Sequence, residues 1–194
     1  SAQSKLLSVV SLIIIVTVRT QAWISLDNNA QQSQQNERRR LVQIYEDYRT
    51  AITENEIAAT ALSTSIADRA DIKALFKNRD RAGLLDLLAP MFATLKVQAN
   101  IVHLYVEAPD GTVFLRVHSP EQYGDNVTYR RTVAQAISTK QTVAGLEIGP
   151  NRLGVRSVSP LLDGSDLIGL IEVGLDYDQA FIDTLRNRTN TDYR

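Results

Sequence analysis

A chain of 194 residues can bury a substantial core and has room for one domain or two. Its 21 basic residues balance 22 acidic ones, and the net charge of −1, with no basic stripe interleaved with aromatics, excludes a general nucleic-acid binder. The absence of cysteine excludes disulfides, cysteine-type zinc sites and covalently attached haem, and neither glycine-rich phosphate loops nor a GxSxG nucleophile elbow occurs.

Leu6 to Val18 is an uncharged apolar run behind Lys5. It is shorter than the roughly 17–25 residues of a membrane helix, but continuing to Trp23 approaches that length. Arg19 is placed to snorkel there, and Trp23 suits an interface. The expectation for residues 1–26 is the outer end of a membrane anchor. A cleaved signal peptide would need an A-x-A-like site, which is missing, and a buried element of a soluble core is the other alternative. Asp27 to Arg40 is polar and glutamine-rich, a solvated helical stalk or a linker.

From Leu41 the apolar spacing becomes helical. Leu41, Tyr45, Tyr48, Ile52, Asn55, Ala59, Leu62 and Ile66 alternate by fours and threes, a heptad seam with Asn55 as its polar register position. Ile44, Ala51 and Ala58 form a second stripe. The seam predicts a homodimer through the N-terminal helix, against the alternative of an amphipathic helix packed on its own domain. A second helical block, Asp71 to about Lys96, carries Asp80 as a cap for its second half and Leu84, Leu85, Leu87, Leu88, Met91, Phe92 and Leu95 on its buried side. Pro90 is expected to bend or restart it.

Ile101 to Val117 reads as two alternating runs around Pro109-Asp110-Gly111, a hairpin in which proline presets the turn and glycine accepts positive φ. Strand alternation puts Phe114, Arg116 and His118 on one face and Val113, Leu115 and Val117 on the other. The register stays open. A two-residue loop pairs Tyr105 with Phe114 and His103 with Arg116, whereas a three-residue loop with a glycine bulge brings Val106 and Leu104 opposite them. A turn-rich connection through Ser119-Pro120 and Tyr123-Gly124-Asp125 leads to a helix over Thr128–Thr139. Strands follow at Gln141–Ile148, Asn151–Leu162 and the nearly all-apolar Leu167–Leu175, then a last helix from about Asp178 to Arg188. The order predicts an α+β fold, a long N-terminal helix packed on a five-stranded antiparallel sheet.

This order resembles the bacterial extracytoplasmic Cache sensor domains attached to chemotaxis receptors, sensor kinases and cyclic-di-GMP enzymes. Arg116-Val117-His118-x-Pro120-x-x-Tyr123-Gly124-Asp125 carries the resemblance, with Gly145-Leu146-Glu147 and Gly154-Val155-Arg156, over about Asp27 to Arg188. It implies a PAS-like sheet, a small-ligand pocket on one side of it and flanking membrane helices. The chain holds material for one such lobe, so the single rather than the double form is expected. The expected parts are an anchor end at 1–26, helices over 27–100, a ligand-binding lobe over 101–188, and a tail at 189–194 leading to a second membrane span.

An arginine inside an apolar sheet is costly to desolvate unless it meets an anion, and its planar fork matches a carboxylate. Arg116 and Arg156 are therefore the candidate anchors for a small organic acid, with Tyr105, Phe114, His118, Tyr123 and Glu147 around them. Each has a plainer role. Arg116 can pair with Asp125, Arg156 with Glu147 or Glu172, and His118 can bond backbone in the turn after it. Tyr123 can be a packing ring, and Glu147 an arginine partner. The reading is a periplasm-facing, ligand-binding sensor domain of a bacterial inner-membrane receptor, without catalysis, cofactor, metal or nucleic acid. A dimerisation or protein-contact module of the same fold is the alternative. A hydrolase built on Ser119 or Ser157 with His118 lacks any accompanying nucleophile motif.

Overall fold

The computed structural model describes residues 2–148, 153–177 and 183, with side chains described from Ile13 onward except at 26–30. The last expected helix falls almost wholly outside them. The chain separates into two compact units, residues 1–46 and 47–194.

The first unit is helix alone. It is the N-terminal part of α1, which runs over Ala2–Ala67 without a glycine or proline to interrupt it. The glutamine-rich segment is thus helical, and Gln31 to Arg40 are all exposed. Among the described residues no helix is long and apolar enough to cross a membrane.

In the second unit the rest of α1 lies with α2 (Ala70–Lys77) and α3 (Arg81–Ala99). Asp80 caps α3 as expected, its carboxylate accepting the Gly83 N–H at 2.9 Å. Pro90 neither ends nor restarts α3. Leu84 and Leu88 before it and Phe92 after it are all buried, and their packing holds one continuous helix through the missing hydrogen bond.

Five antiparallel strands form one sheet: β1 (His103–Glu107), β2 (Val113–Arg116), β3 (Val143–Ile148), β4 (Leu153–Asp163) and β5 (Asp166–Asp176), in the order β2-β1-β5-β4-β3. The apolar β5 is the central strand, as its composition demands. A short helix α4 (Arg131–Thr139) packs on β3 and β4.

The hairpin starts in the expected three-residue register and then slips into one that neither expectation gave. Gly111 at φ +77° donates its N–H to Ala108, and Ala108 and Thr112 close a three-residue loop. A bulge then follows between Val106 and Glu107, because Glu107 pairs with Val113 but Val106 pairs with Leu115. Tyr105, rather than Leu104 or His103, therefore sits opposite Arg116. Phe114 is the extra residue. It joins the helix-side core with Leu115, its ring edge-on to Phe76 at 5.1 Å, and leaves the face of Arg116 on which strand alternation had placed it.

The two sheet faces bury different cores. Leu104, Val106, Leu115, Val155, Ile171 and Val173 pack with Ala59, Ile66, Ile72, Phe76, Leu84 and Leu88 from the helices. Tyr105, Val113, Val158 and Leu170 pack with Val127, Val133 and Ala136 around α4. The expected seam of α1 divides accordingly. Ala59 and Ile66 belong to the domain's own core, and Asn55 bonds the Tyr177 hydroxyl at 3.4 Å, whereas Leu41 and Tyr45 are exposed. The last turns of α1 also meet the sheet through hydroxyls. Ser63 lies 2.9 Å from Ser157 and 2.8 Å from Ser159, so every buried oxygen there has a partner.

Candidate ligand cavity

Alternation along β5 sends Glu172, Gly174 and Asp176 to the face away from α1–α3, and the ladder places Arg156 of β4 opposite Gly174. The long side chain lies across that glycine. A Cβ on Gly174 would sit 2.5 Å from the Arg156 guanidinium, so only glycine leaves it room. Arg156 then donates to Asp176 at 2.8 Å and to the Leu175 carbonyl at 3.1 Å, with Glu172 at 3.5 Å. On β1, His103 reaches both Asp176 oxygens at 3.1 Å. Burial would raise the Asp176 carboxyl, but the bonds from His103 and Arg156 outweigh it and hold the group below the ordinary range.

Around this base lies a cavity of about 660 Å³, walled by β1, β2, the 121–130 segment, β3 and the ends of β4 and β5. Three guanidiniums line it, and each holds a carboxylate. Arg116 grips Asp125 with two parallel bonds of 2.7 Å and also donates to the Gln122 carbonyl. Arg130, just before α4, donates to both oxygens of Glu172 at 2.7 and 2.8 Å. The charge of Glu172 raises its pKa against the opposing effect of burial. Arg156 and Asp176 complete the set. The Tyr105 ring sits among them, 5.2 Å from the Arg116 guanidinium and 5.3 Å from that of Arg130.

His118 packs its ring edge against those of His103 (4.9 Å) and Tyr105 (5.0 Å). Burial, then the neighbouring His103 and Arg116, push its pKa down to about 4, so it is neutral at physiological pH. Beneath the cavity Glu107 is fully buried. Burial first and the charge of Glu172 second raise it well above the ordinary carboxyl range.

Six of the seven expected site residues, Tyr105, Arg116, His118, Tyr123, Glu147 and Arg156, meet at this cavity, and Phe114 does not. Arg156 bonds Asp176 at 2.8 Å, closer than the expected Glu172 at 3.5 Å. Among the described residues Glu147 meets no arginine; it accepts the Thr132 N–H at 2.7 Å at the head of α4, where an anion suits the helix end. Arg116 is the partner of Asp125, so its fork is already occupied. Arg130 and Asp176 went unnoticed in the sequence, and His103 entered only as one possible neighbour of Arg116 across the hairpin. Asp176 lies one residue past the expected strand, where alternation continued would have placed it; Arg130, assigned to the helix that in fact begins at Arg131, carries no such signal.

Among the described residues no group of three or more histidines and acids is arranged to hold a metal ion. Ser157 lies in the hydroxyl cluster on the opposite face from His118, which removes it as a nucleophile served by that imidazole.

A PAS-like sheet with helices on one face and a polar cavity on the other defines a sensor domain. The chain belongs to the Cache-type family described as the double sensory domain of two-component sensor kinases, which matches residues 34–193. The described residues hold one five-stranded sheet of this kind. Domains of this family lie outside the cytoplasm in membrane receptors. The sensor domain of the V. cholerae histidine kinase DctB has the same fold, with a TM-score of 0.61 at 13% identity over 75% of this chain and 57% of that one. The chain thus spans little more than half of that domain. The E. coli DcuS sensor domain gives 0.56 at 12% identity over 73% of this chain and 99% of that one. The periplasmic domain of Vibrio cholerae LuxQ gives 0.52 at 12%, over 78% and 71%. At these identities the likeness is one of fold. No curated protein matches the chain.

Proposed function

We propose that the cavity binds a small metabolite bearing a carboxylate, and that the domain reports its occupancy to the rest of a bacterial inner-membrane receptor from the periplasmic side, without catalysis. The observation that carries this is the convergence of Arg116, Arg130 and Arg156 on one cavity of metabolite size. Since Asp125 takes the fork of Arg116, the ligand contact shifts to Arg130, which stands between the Tyr105 and Tyr129 rings and spends its Nη1 on Glu172. The link to the receptor runs through β5. Asp176 lines the cavity, and the next residue, Tyr177, meets Tyr48 and Asn55 of α1. Signalling requires the ligand to favour one arrangement of these elements over another. A homodimer through α1 would use Leu41, Val42 and Tyr45, which are more than half exposed.

A thermal-shift screen of short organic acids tests the binding. At a hundred times its dissociation constant, a bound acid stabilises the domain by about 2.7 kcal/mol, a shift of several degrees. Arg130→Lys keeps the charge for Glu172 but loses the planar fork, so it should lose most of that shift. If no acid stabilises the unaltered domain, the alternative of a contact module with a self-satisfied cavity takes its place.

A further inference from the structure

We infer that Arg81, which lies outside the cavity on the helical side, is a positioning residue that clamps the cavity's outer wall, residues 118–125; its bearing on ligand affinity rests on the binding reading above. Arg81 is the first residue of α3, and α3 has no acidic residue in its first turn. A cation at a helix N-terminus is opposed by the macrodipole, so the helix itself gains nothing from it. Its described contacts all go elsewhere. Nε donates to the Phe114 carbonyl at 3.0 Å, at the bulge where β2 leaves the sheet register. Nη2 donates to the Pro120 carbonyl, and the guanidinium lies 3.8 Å over the Tyr123 ring. One planar group thus holds the root, the middle and the tip of the wall.

The wall has few bonds of its own. Ser119 donates to the Arg116 carbonyl, Gln122 to that of Ser119 and Gly124 to that of Val113, whose N–H returns a bond to the Asp125 carbonyl, and Tyr123 stays 57% exposed although it lines the cavity. From the cavity side Arg116 holds Gln122 and Asp125. Arg81 supplies the matching hold from the helical side, and a lysine, with a point charge and no fork, cannot make all three contacts together. The hold also joins the wall to α3, so a ligand that presses on Tyr123 presses on the helical layer.

Hydrogen exchange by mass spectrometry on the whole domain, unaltered and with Arg81→Ala or Arg81→Lys, tests the clamp without any ligand. The expected result is about tenfold faster exchange in 118–125 for Arg81→Ala, with incomplete recovery in Arg81→Lys and unchanged protection in β4 and β5, which shows that the variants fold. Unchanged exchange in 118–125 overturns the inference. The second measurement is the acid-induced melting shift. Where the unaltered domain shows one, it should shrink several-fold in Arg81→Ala, and an undiminished shift beside a loosened wall overturns the positioning role. Should no acid stabilise the unaltered domain, the binding reading fails by itself and exchange alone decides the clamp.

Discussion

On the helix side of the sheet, Leu104, Val106, Leu115, Ile171 and Val173 pack into one apolar core, whereas on the cavity side Arg116, Arg130 and Arg156 each answer a carboxylate. The helix side gains stability from area removed from water, a non-directional quantity that tolerates substitutions of similar volume. The cavity side is stable only while its charges stay paired, because each buried ion without a partner bears its full desolvation cost. The same strands serve both faces. Packing can hold the fold on one face while the other keeps a hydrated, charged surface for recognition.

The contrast can be broken most directly at Arg130. Glu172 is fully buried, and Arg130→Ala should cost about 3 kcal/mol in chemical denaturation by leaving it to the more distant Arg156, at 3.5 Å. Adding Glu172→Gln should recover much of the loss, and a cost below about 1 kcal/mol for the single change would show that water reaches Glu172. On the apolar face, Leu88→Ala should cost about 3 kcal/mol as a cavity mutant while leaving any acid-induced shift intact.

Titration sharpens the comparison with a smaller effect. His118 has a folded pKa of about 4 against 6.5 for the free side chain. Below pH 6.5 the unfolded chain takes up a proton that the folded one refuses, so this contribution is complete above 6.5 and is lost as pH falls to 4. After allowance for partial exposure it amounts to roughly 1–2 kcal/mol, and His118→Gln should flatten the stability profile in that window. Asp176, held below the ordinary carboxyl range, loses its contribution only at lower pH. Glu107 has the opposite sign. Its raised pKa means that stability is lost as pH rises past the ordinary carboxyl value, so Glu107→Gln should melt higher than the unaltered domain at pH 8, with the gap closing toward pH 4. A gap that does not change with pH would show that Glu107 is ionised in the folded state.

The sequence by itself determined the elements and the fold class. Uninterrupted helix formers, the Asp80 cap, the Pro109-Asp110-Gly111 turn and the apolar β5 act over a few residues, and each formed where local chemistry required. It also marked most of the cavity face, because alternation orders side chains within any one strand. Tertiary structure alone decided the rest. One bulge sent Phe114 to the helices and set Tyr105 against Arg116, since a single extra residue reverses every face beyond it. Packing of α1 on the sheet turned half of a heptad seam inward. The pairings of Arg130 with Glu172, Arg156 with Asp176 and Arg81 with Pro120 join residues 42, 20 and 39 positions apart. No local spacing signals such partners, because a charge is satisfied by whatever group the fold brings near it, at any separation along the chain.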